Sequence, residues 1–270
     1  MLIDVHAHTN WLDMTTDDWA AHFRRIGVDR VWLLACVGQN VLRNTMDTEI
    51  TNEDVIDAAR RYPDLFIPFC AVLPWEADAV QQIERWVELG CRGYGEHKIR
   101  LCIDNPDSVR VFQACGEMGL PVLFHMDVPL PTSDMWFNVD LSRLPWVMEQ
   151  CPKTVFIGHG PAFWREVSGD AATDPDAYPA GPVTPGGLLP KLLDDWPNLY
   201  CDLSAGSGLN AVSRDPSFGP AFLEGYSHRI MYGTDYHDTA HIEFLRGAGL
   251  SAEAFERITH LNAESLVPIR

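Results

Sequence analysis

The string DVHAH at residues 4–8 is the stretch of this sequence that decides the fold and the site. It follows the apolar pair Leu2 and Ile3 and places His6 and His8 two residues apart. Side chains at i and i+2 of a β-strand point to the same side. Both imidazoles are therefore aimed at one point at the end of a first strand, which is half of a metal site.

The rest of the chain alternates short apolar runs with longer amphipathic stretches, a pattern typical of parallel strands and helices. Eight such units in 270 residues predict one α/β domain over residues 1–270, folded as a (β/α)8 TIM barrel. A doubly wound open sheet is the alternative. The predicted strands are residues 2–5, 28–36, 66–72, 91–99, 121–125, 154–157, 199–203 and 229–232.

Two connections, residues 126–143 and 160–187, are too long to be simple turns. They follow predicted strands five and six, on the barrel face where active sites lie. We predict that they form lids or substrate walls rather than plain surface excursions.

Polar side chains stand at the carboxyl ends of five predicted strands. Besides His6 and His8 they are Glu96 with Lys98, His125, His159 and Asp235. Imidazole and carboxylate are good ligands for a borderline divalent ion, and burying them is costly unless they are paired or bound to metal. The sequence therefore predicts a divalent metal site at the carboxyl ends of the strands, with Zn²⁺ as the expected ion and Mn²⁺ as an alternative.

These motifs resemble the amidohydrolase superfamily, in the branch that includes aminocarboxymuconate-semialdehyde decarboxylase-like proteins. The matching strings are DVHAH at 4–8, GYGEHK at 93–98, FH at 124–125, IGHG at 157–160, YGTD at 232–235 and LNAESL at 261–266. The resemblance implies a distorted barrel with one or two divalent metals, in which His6, His8, His125 and Asp235 are ligands. It also implies that Asp235 takes a proton from the attacking water and that His159 polarises the substrate or binds a second ion.

The fourth strand carries both Glu96 and Lys98 on one face. Because the GYGE string resembles the members with a glutamate at this place, we predict that Glu96 is a metal ligand and that Lys98 binds a substrate carboxylate. A mutual ion pair between the two is the alternative. Arg165 and Trp11 are further predicted substrate contacts, since Arg165 offers a planar fork of donors.

Together these features predict a metal-dependent hydrolase that uses a metal-activated water. Its target would be a C–N or C–O bond of a small, carboxylate-bearing amide, cyclic amide, ester or lactone. The alternative is a non-oxidative, metal-dependent decarboxylase, a lyase on the same framework.

The composition narrows the partners and the compartment. Lys and Arg total 20 against 38 Asp and Glu, and the net charge of -18 opposes binding to nucleic acid or to an anionic membrane. The seven cysteines contain no CxxC pair, which is typical of a reducing compartment. With no signal peptide and no membrane-length apolar run, we expect a cytoplasmic enzyme with a small-molecule substrate. A homodimer is the assembly that the resemblance suggests.

Overall fold

Eight parallel strands form the centre of the molecule, as a computed structural model describes it for residues 1–38, 49–129 and 136–269. Strands adjacent in sequence are adjacent in the sheet. The strands are β1 (Ile3–Ala7), β2 (Arg30–Leu34), β3 (Phe66–Cys70), β4 (Gly93–His97), β5 (Val122–His125), β6 (Phe156–His159), β7 (Leu199–Asp202) and β8 (Ile230–Met231). Each overlaps a predicted strand.

The sheet closes on itself through its first and last strands. The Val5 N–H donates to the Tyr232 carbonyl at 3.0 Å, and the Asp235 N–H donates to the His6 carbonyl at 2.9 Å. The predicted TIM barrel is therefore confirmed, and the open doubly wound sheet is excluded.

Helices connect the strands and begin where the sequence supplies start signals. Thr51 and Asp54 form a reciprocal capping box, and the Asn105 side chain caps the helix that opens with Pro106. In the described ranges the α-helices are Thr16–Ile26, Asn52–Arg61, Ala79–Glu88, Pro106–Glu117, Leu144–Gln150, Pro161–Trp164, Leu188–Asp195, Ala205–Ser213, Gly219–Gly225, Ala240–Gly247, Ala252–Glu256 and Asn262–Leu266. Shorter 3-10 turns span Leu141–Arg143 and Arg165–Val167, and Arg257–Leu261 is π-helical.

The barrel interior changes from apolar to polar along β5 and β6. Leu123 and Ile157 belong to a buried apolar cluster inside the barrel. Two residues further on the same strands come His125 and His159. Because strand side chains alternate, these histidines lie on the same inner face, above an apolar floor. The fold therefore gathers polar side chains at the carboxyl ends of the strands.

Both long connections lie at least partly within the described residues. The connection 160–187 carries the short helix Pro161–Trp164, whereas residues 130–135 of the connection 126–143 lie outside the described residues. All seven cysteines are in described ranges, and none forms a disulfide. Of the helices in those ranges, none has the length and apolar character needed to cross a membrane.

Candidate metal centre

Three donor atoms from the first and eighth strands meet at the barrel mouth. His6 Nε2 lies 3.3 Å from His8 Nε2. Asp235 Oδ1 lies 3.5 Å from His6 Nε2 and 3.6 Å from His8 Nε2. The sequence prediction that these three residues converge is therefore correct as geometry.

Hydrogen bonds behind the two rings direct both Nε2 atoms toward the mouth. His6 Nδ1 lies 2.6 Å from Asp202 Oδ2, and His8 Nδ1 lies 3.0 Å from the Leu34 carbonyl oxygen. Both partners are acceptors, so each Nδ1 carries a proton and each Nε2 faces the other ring. Two Nε2 atoms 3.3 Å apart need a proton or a metal cation between them.

The distances and the electrostatics of this cluster fit a divalent ion. Donors about 2.0–2.1 Å from a tetrahedral ion lie about 3.3–3.4 Å from one another. Burial by itself would lower the pKa of His6, but the Asp235 and Asp202 carboxylates outweigh it and raise that pKa to about 10. The cluster therefore stabilises an added positive charge.

A second group of donors comes from the fourth, fifth and sixth strands. Glu96, His125 and His159 each offer one ligand atom, and these atoms all lie within 4.8 Å of one another. Glu96 Oε1 lies 2.8 Å from His125 Nδ1, and Glu96 Oε2 lies 3.6 Å from His8 Nε2. Glu96 thus contacts both groups, and its role as a metal ligand stays a prediction.

His159 lies beside the cluster, with its ring centroid 4.4 Å from that of His6. Its Nε2 lies 3.8 Å from Asp235 Oδ2, and its Nδ1 lies 2.9 Å from Ser204 Oγ. Burial, followed by the nearby His6, lowers the pKa of His159. The neutral imidazole can therefore act as a proton acceptor or polarise a bound group.

Lys98 lies inside the mouth with its ammonium group over the Phe137 ring, at 5.5 Å from the centroid. Burial disfavours its charge, but Glu96 and the other acidic groups around it raise its pKa. In the part of the chain that the structure describes, no carboxylate oxygen lies within 4.0 Å of the Lys98 ammonium. The alternative of a direct ion pair with Glu96 is therefore not what the structure shows.

A cavity of about 780 Å³ opens above these side chains. Its walls carry aromatic residues from four connections: Trp11, Phe137, Tyr178 and Tyr236. The Trp11 ring makes an edge contact with His8 at 5.4 Å and a tilted contact with Tyr236 at 5.5 Å. Both long connections supply wall residues, and Trp11 lies where a substrate contact was predicted.

Arg165 does not reach the cavity, which corrects its prediction as a substrate contact. It is buried, and its guanidinium donates to the backbone carbonyls of Ala171 and Asp174. Its donors thus hold the connection 160–187 together and point away from the mouth. The same connection turns Trp164 inward, where the indole N–H donates to the Asp202 carbonyl at 2.9 Å.

Sequence reasoning missed Asp202 as the carboxylate behind a ligand histidine, and Asp4, the acidic residue of the DVHAH string, does not have that position. Asp4 accepts hydrogen bonds from Thr234 and from the backbone N–H of His6, and it contacts neither imidazole. The pairing of β1 with β2 is irregular between Asp4 and Ala7, so simple alternation fails there. A signal for Asp202 existed, because it ends β7 as His125 ends β5.

Glycines in two of the motifs make room for this arrangement. A Cβ at Gly233, in YGTD, would lie 2.6 Å from Asp202 Oδ1 and 3.3 Å from the His6 Cβ. A Cβ at Gly158, in IGHG, would lie 2.1 Å from the Phe163 ring. Contacts this short forbid a side chain at either position, so the motifs preserve space as well as ligands.

Comparison with solved structures supports the fold. An uncharacterized TIM-barrel protein from Bordetella bronchiseptica superposes with a TM-score of 0.73 at 15% identity, covering 98% of this chain and 97% of that one. A probable 2-pyrone-4,6-dicarboxylic acid hydrolase from Acinetobacter baumannii has a TM-score of 0.65 at 14% identity, with 98% of each chain covered. For 5-carboxyvanillate decarboxylase from Sphingomonas paucimobilis the TM-score is 0.62 at 17% identity, covering 100% and 99%.

Comparison of sequences supplies the family. No curated protein matches the chain. The family model described as Amidohydrolase matches residues 3–185, which include every motif from DVHAH to IGHG. That match spans more than half of the chain and agrees with the fold of the superposed structures. The chain therefore belongs to the amidohydrolase family that this model describes.

Proposed function

We propose that this protein is a metal-dependent hydrolase that cleaves a C–N or C–O bond of a small molecule bearing a carboxylate. One observation carries the proposal: His6, His8 and Asp235 present three donor atoms 3.3–3.6 Å apart at the floor of an open cavity. The donor set is suited to Zn²⁺, with Mn²⁺ as the alternative ion. Glu96 and His125 complete the proposed ligands, for one ion or two.

A divalent ion held there supplies a nucleophile at neutral pH by lowering the pKa of water to about 7. Asp235 divides its two oxygens between two tasks: Oδ1 faces His6 and His8, and Oδ2 faces His159. Oδ2 can therefore accept a proton from water and deliver it to the leaving group. His159, neutral and 3.8 Å away, can share that proton and, once it carries the proton at Nε2, can donate to the substrate carbonyl.

Lys98 and the aromatic walls supply binding rather than chemistry. The Lys98 ammonium projects into the cavity and suits a carboxylate on the substrate. Phe137 lies beside it, and Trp11 lies beside His8. Flat or unsaturated groups pack well against such walls, so the preferred substrate joins a carboxylate to a planar portion.

A non-oxidative decarboxylase is the second candidate. The observation that favours it is the Lys98 ammonium beside the aromatic walls of the cavity. This cation would hold the carboxylate of an aromatic ring next to the metal ligands. A protein of similar fold is 5-carboxyvanillate decarboxylase, which makes this reaction a credible alternative on the framework.

One experiment distinguishes the two reactions. The zinc- or manganese-loaded protein is incubated in ¹⁸O-labelled water with carboxylate-bearing lactones, cyclic amides, esters and hydroxybenzoates, with a chelated sample as control. Hydrolysis places ¹⁸O in the organic product, whereas decarboxylation releases carbon dioxide and leaves that product unlabelled. We expect labelled product that disappears on chelation. A protein that binds neither ion and converts no compound contradicts both candidates.

A further inference from the structure

Asp202 ends β7 and is fully buried beneath the metal centre. Its Oδ2 lies 2.6 Å from His6 Nδ1, 2.8 Å from Ser204 Oγ and 3.2 Å from His159 Nδ1. Its Oδ1 accepts from the Ser204 backbone N–H at 2.9 Å. One carboxylate thus lies behind both a proposed metal ligand and the proposed proton acceptor.

The hydrogen-bond chain fixes the protons on both rings. The Ser204 backbone N–H donates to Oδ1 of Asp202, and the Ser204 hydroxyl donates to Oδ2. Both oxygens therefore act as acceptors, so the Nδ1 atoms of His6 and His159 that face Asp202 carry protons. Each ring then directs its Nε2 atom to the mouth, where the His6 and His159 centroids lie 4.4 Å apart.

The surroundings of Asp202 are shaped to hold it in this position. Trp164 donates to its backbone carbonyl at 2.9 Å, and Gly233 leaves the space that its Oδ1 fills. Two further segments therefore contact Asp202, one at its backbone and one at its side chain, and the residue is fully buried. A carboxylate that only filled space would need none of these contacts.

We propose that Asp202 is a positioning residue that sets the ring orientation and the tautomer of His6 and His159 together, and so couples metal affinity to proton transfer. This inference rests on the proposed function for its catalytic consequence. Its structural half, the shared tautomer, concerns the metal-free protein and stands by itself. Carboxylates that hold ligand imidazoles typically change metal affinity about 10–100-fold when they are removed.

The direct test is Asp202→Asn, with Asp4→Asn as matched control. In wild type, Oδ1 of Asp202 accepts from the Ser204 N–H, and Oδ2 accepts from His6 and the Ser204 hydroxyl. In either orientation of the asparagine amide, its NH₂ group would therefore face another donor. At position 4 the Thr234 hydroxyl can turn to accept from the amide. We expect zinc affinity, measured by chelator competition, to fall about 10–100-fold in Asp202→Asn and to stay near wild type in Asp4→Asn.

The variant Ser204→Ala tests the contact to His159 separately from the contact to His6. It removes the hydroxyl 2.9 Å from His159 Nδ1 and leaves the contact between Asp202 and His6 in place. We expect its zinc affinity to stay near wild type, while the imidazole ¹⁵N spectrum of His159 changes. A large loss of zinc affinity in Ser204→Ala would contradict the proposal that Asp202, and not Ser204, holds the metal ligand His6.

Imidazole ¹⁵N spectra of the metal-free wild-type protein test the inference without any variant that has to fold. We expect His6 and His159 both to be protonated at Nδ1, with His6→Gln and His159→Gln used for assignment. A ring without a proton at Nδ1, in either His6 or His159, would overturn the inference, as would unchanged zinc affinity in a folded Asp202→Asn protein. If the chain binds no ion but both tautomers are as expected, the proposed function fails and the positioning role stands.

Discussion

The two sides of the barrel mouth use the same residue types differently. On the β1/β8 side, formed by His6, His8 and Asp235, the donor atoms face one another and their hydrogen bonds lie behind the rings. On the β4/β5 side, formed by Glu96 and His125, the donor atoms already bond each other at 2.8 Å. An ion on the first side replaces only the proton of a long contact between His6 Nε2 and His8 Nε2, at 3.3 Å, whereas on the second side it displaces the shorter hydrogen bond between Glu96 and His125.

A histidine near a carboxylate is therefore not by itself a metal site. The deciding feature is the hydrogen-bond partner of one ring nitrogen, because that partner determines whether the other nitrogen can bind a metal ion. The β1/β8 side is therefore the first place for an ion, and the β4/β5 side is the place for a second.

The largest effect is expected for Asp235→Asn. Asp235 has a φ of 58°, a left-handed conformation that asparagine also tolerates, so the fold should survive. Loss of the proton acceptor should lower turnover about 10²–10⁴-fold. The measurement is kcat on the best substrate of the panel, with circular dichroism as the control for folding. Near-normal turnover would remove Asp235 from the mechanism.

The ranking of the two sides is tested by comparing His8→Ala with Glu96→Gln. Losing a direct ligand costs more than losing a supporting group, so His8→Ala should weaken the tightest zinc site by more than about 100-fold. Glu96→Gln should leave that site intact and lower the metal content at saturating zinc. Chelator competition and metal analysis measure the two effects. Equal losses of affinity would contradict the ranking, and unchanged metal content would exclude Glu96 as a ligand.

An intermediate effect is expected for Lys98→Met. A hydrogen bond to a charged group is worth about 1.5–3 kcal/mol, so KM for carboxylate-bearing substrates should rise about 10–100-fold. Neutral esters of the same compounds should lose little. Lys153→Met is the control, since Lys153 is exposed and pairs with Glu117. The proposed carboxylate contact is wrong if charged and neutral substrates lose equally.

The smallest effect is expected for Tyr178→Ala on the cavity wall. Tyr178 is half-exposed and packs near Gly206, so truncating it removes limited apolar contact. KM should rise about two- to fivefold with kcat unchanged. Trp146→Ala, a similarly exposed aromatic residue that does not line the cavity, is the control. A drop in kcat instead would place Tyr178 in the chemistry.

The sequence predicted most of the mouth because its residues follow strand periodicity. His125 and His159 end apolar strands, and alternation alone places them inside the barrel. Asp202 also ends a strand, but its role could not be predicted from the sequence, because its partner His6 lies 196 residues away and only packing across the closed sheet joins them. Arg165 failed for the opposite reason: its donors were predicted to be available, but the backbone of its own connection takes them.

The central claim, that strand-end imidazoles and a carboxylate share one cation, is tested most directly by anomalous scattering from crystals grown with zinc. We predict a peak about 2.0–2.2 Å from the Nε2 atoms of His6 and His8 and from Asp235 Oδ1. An empty β1/β8 side at saturating zinc, or an ion held only by Glu96 and His125, would contradict it.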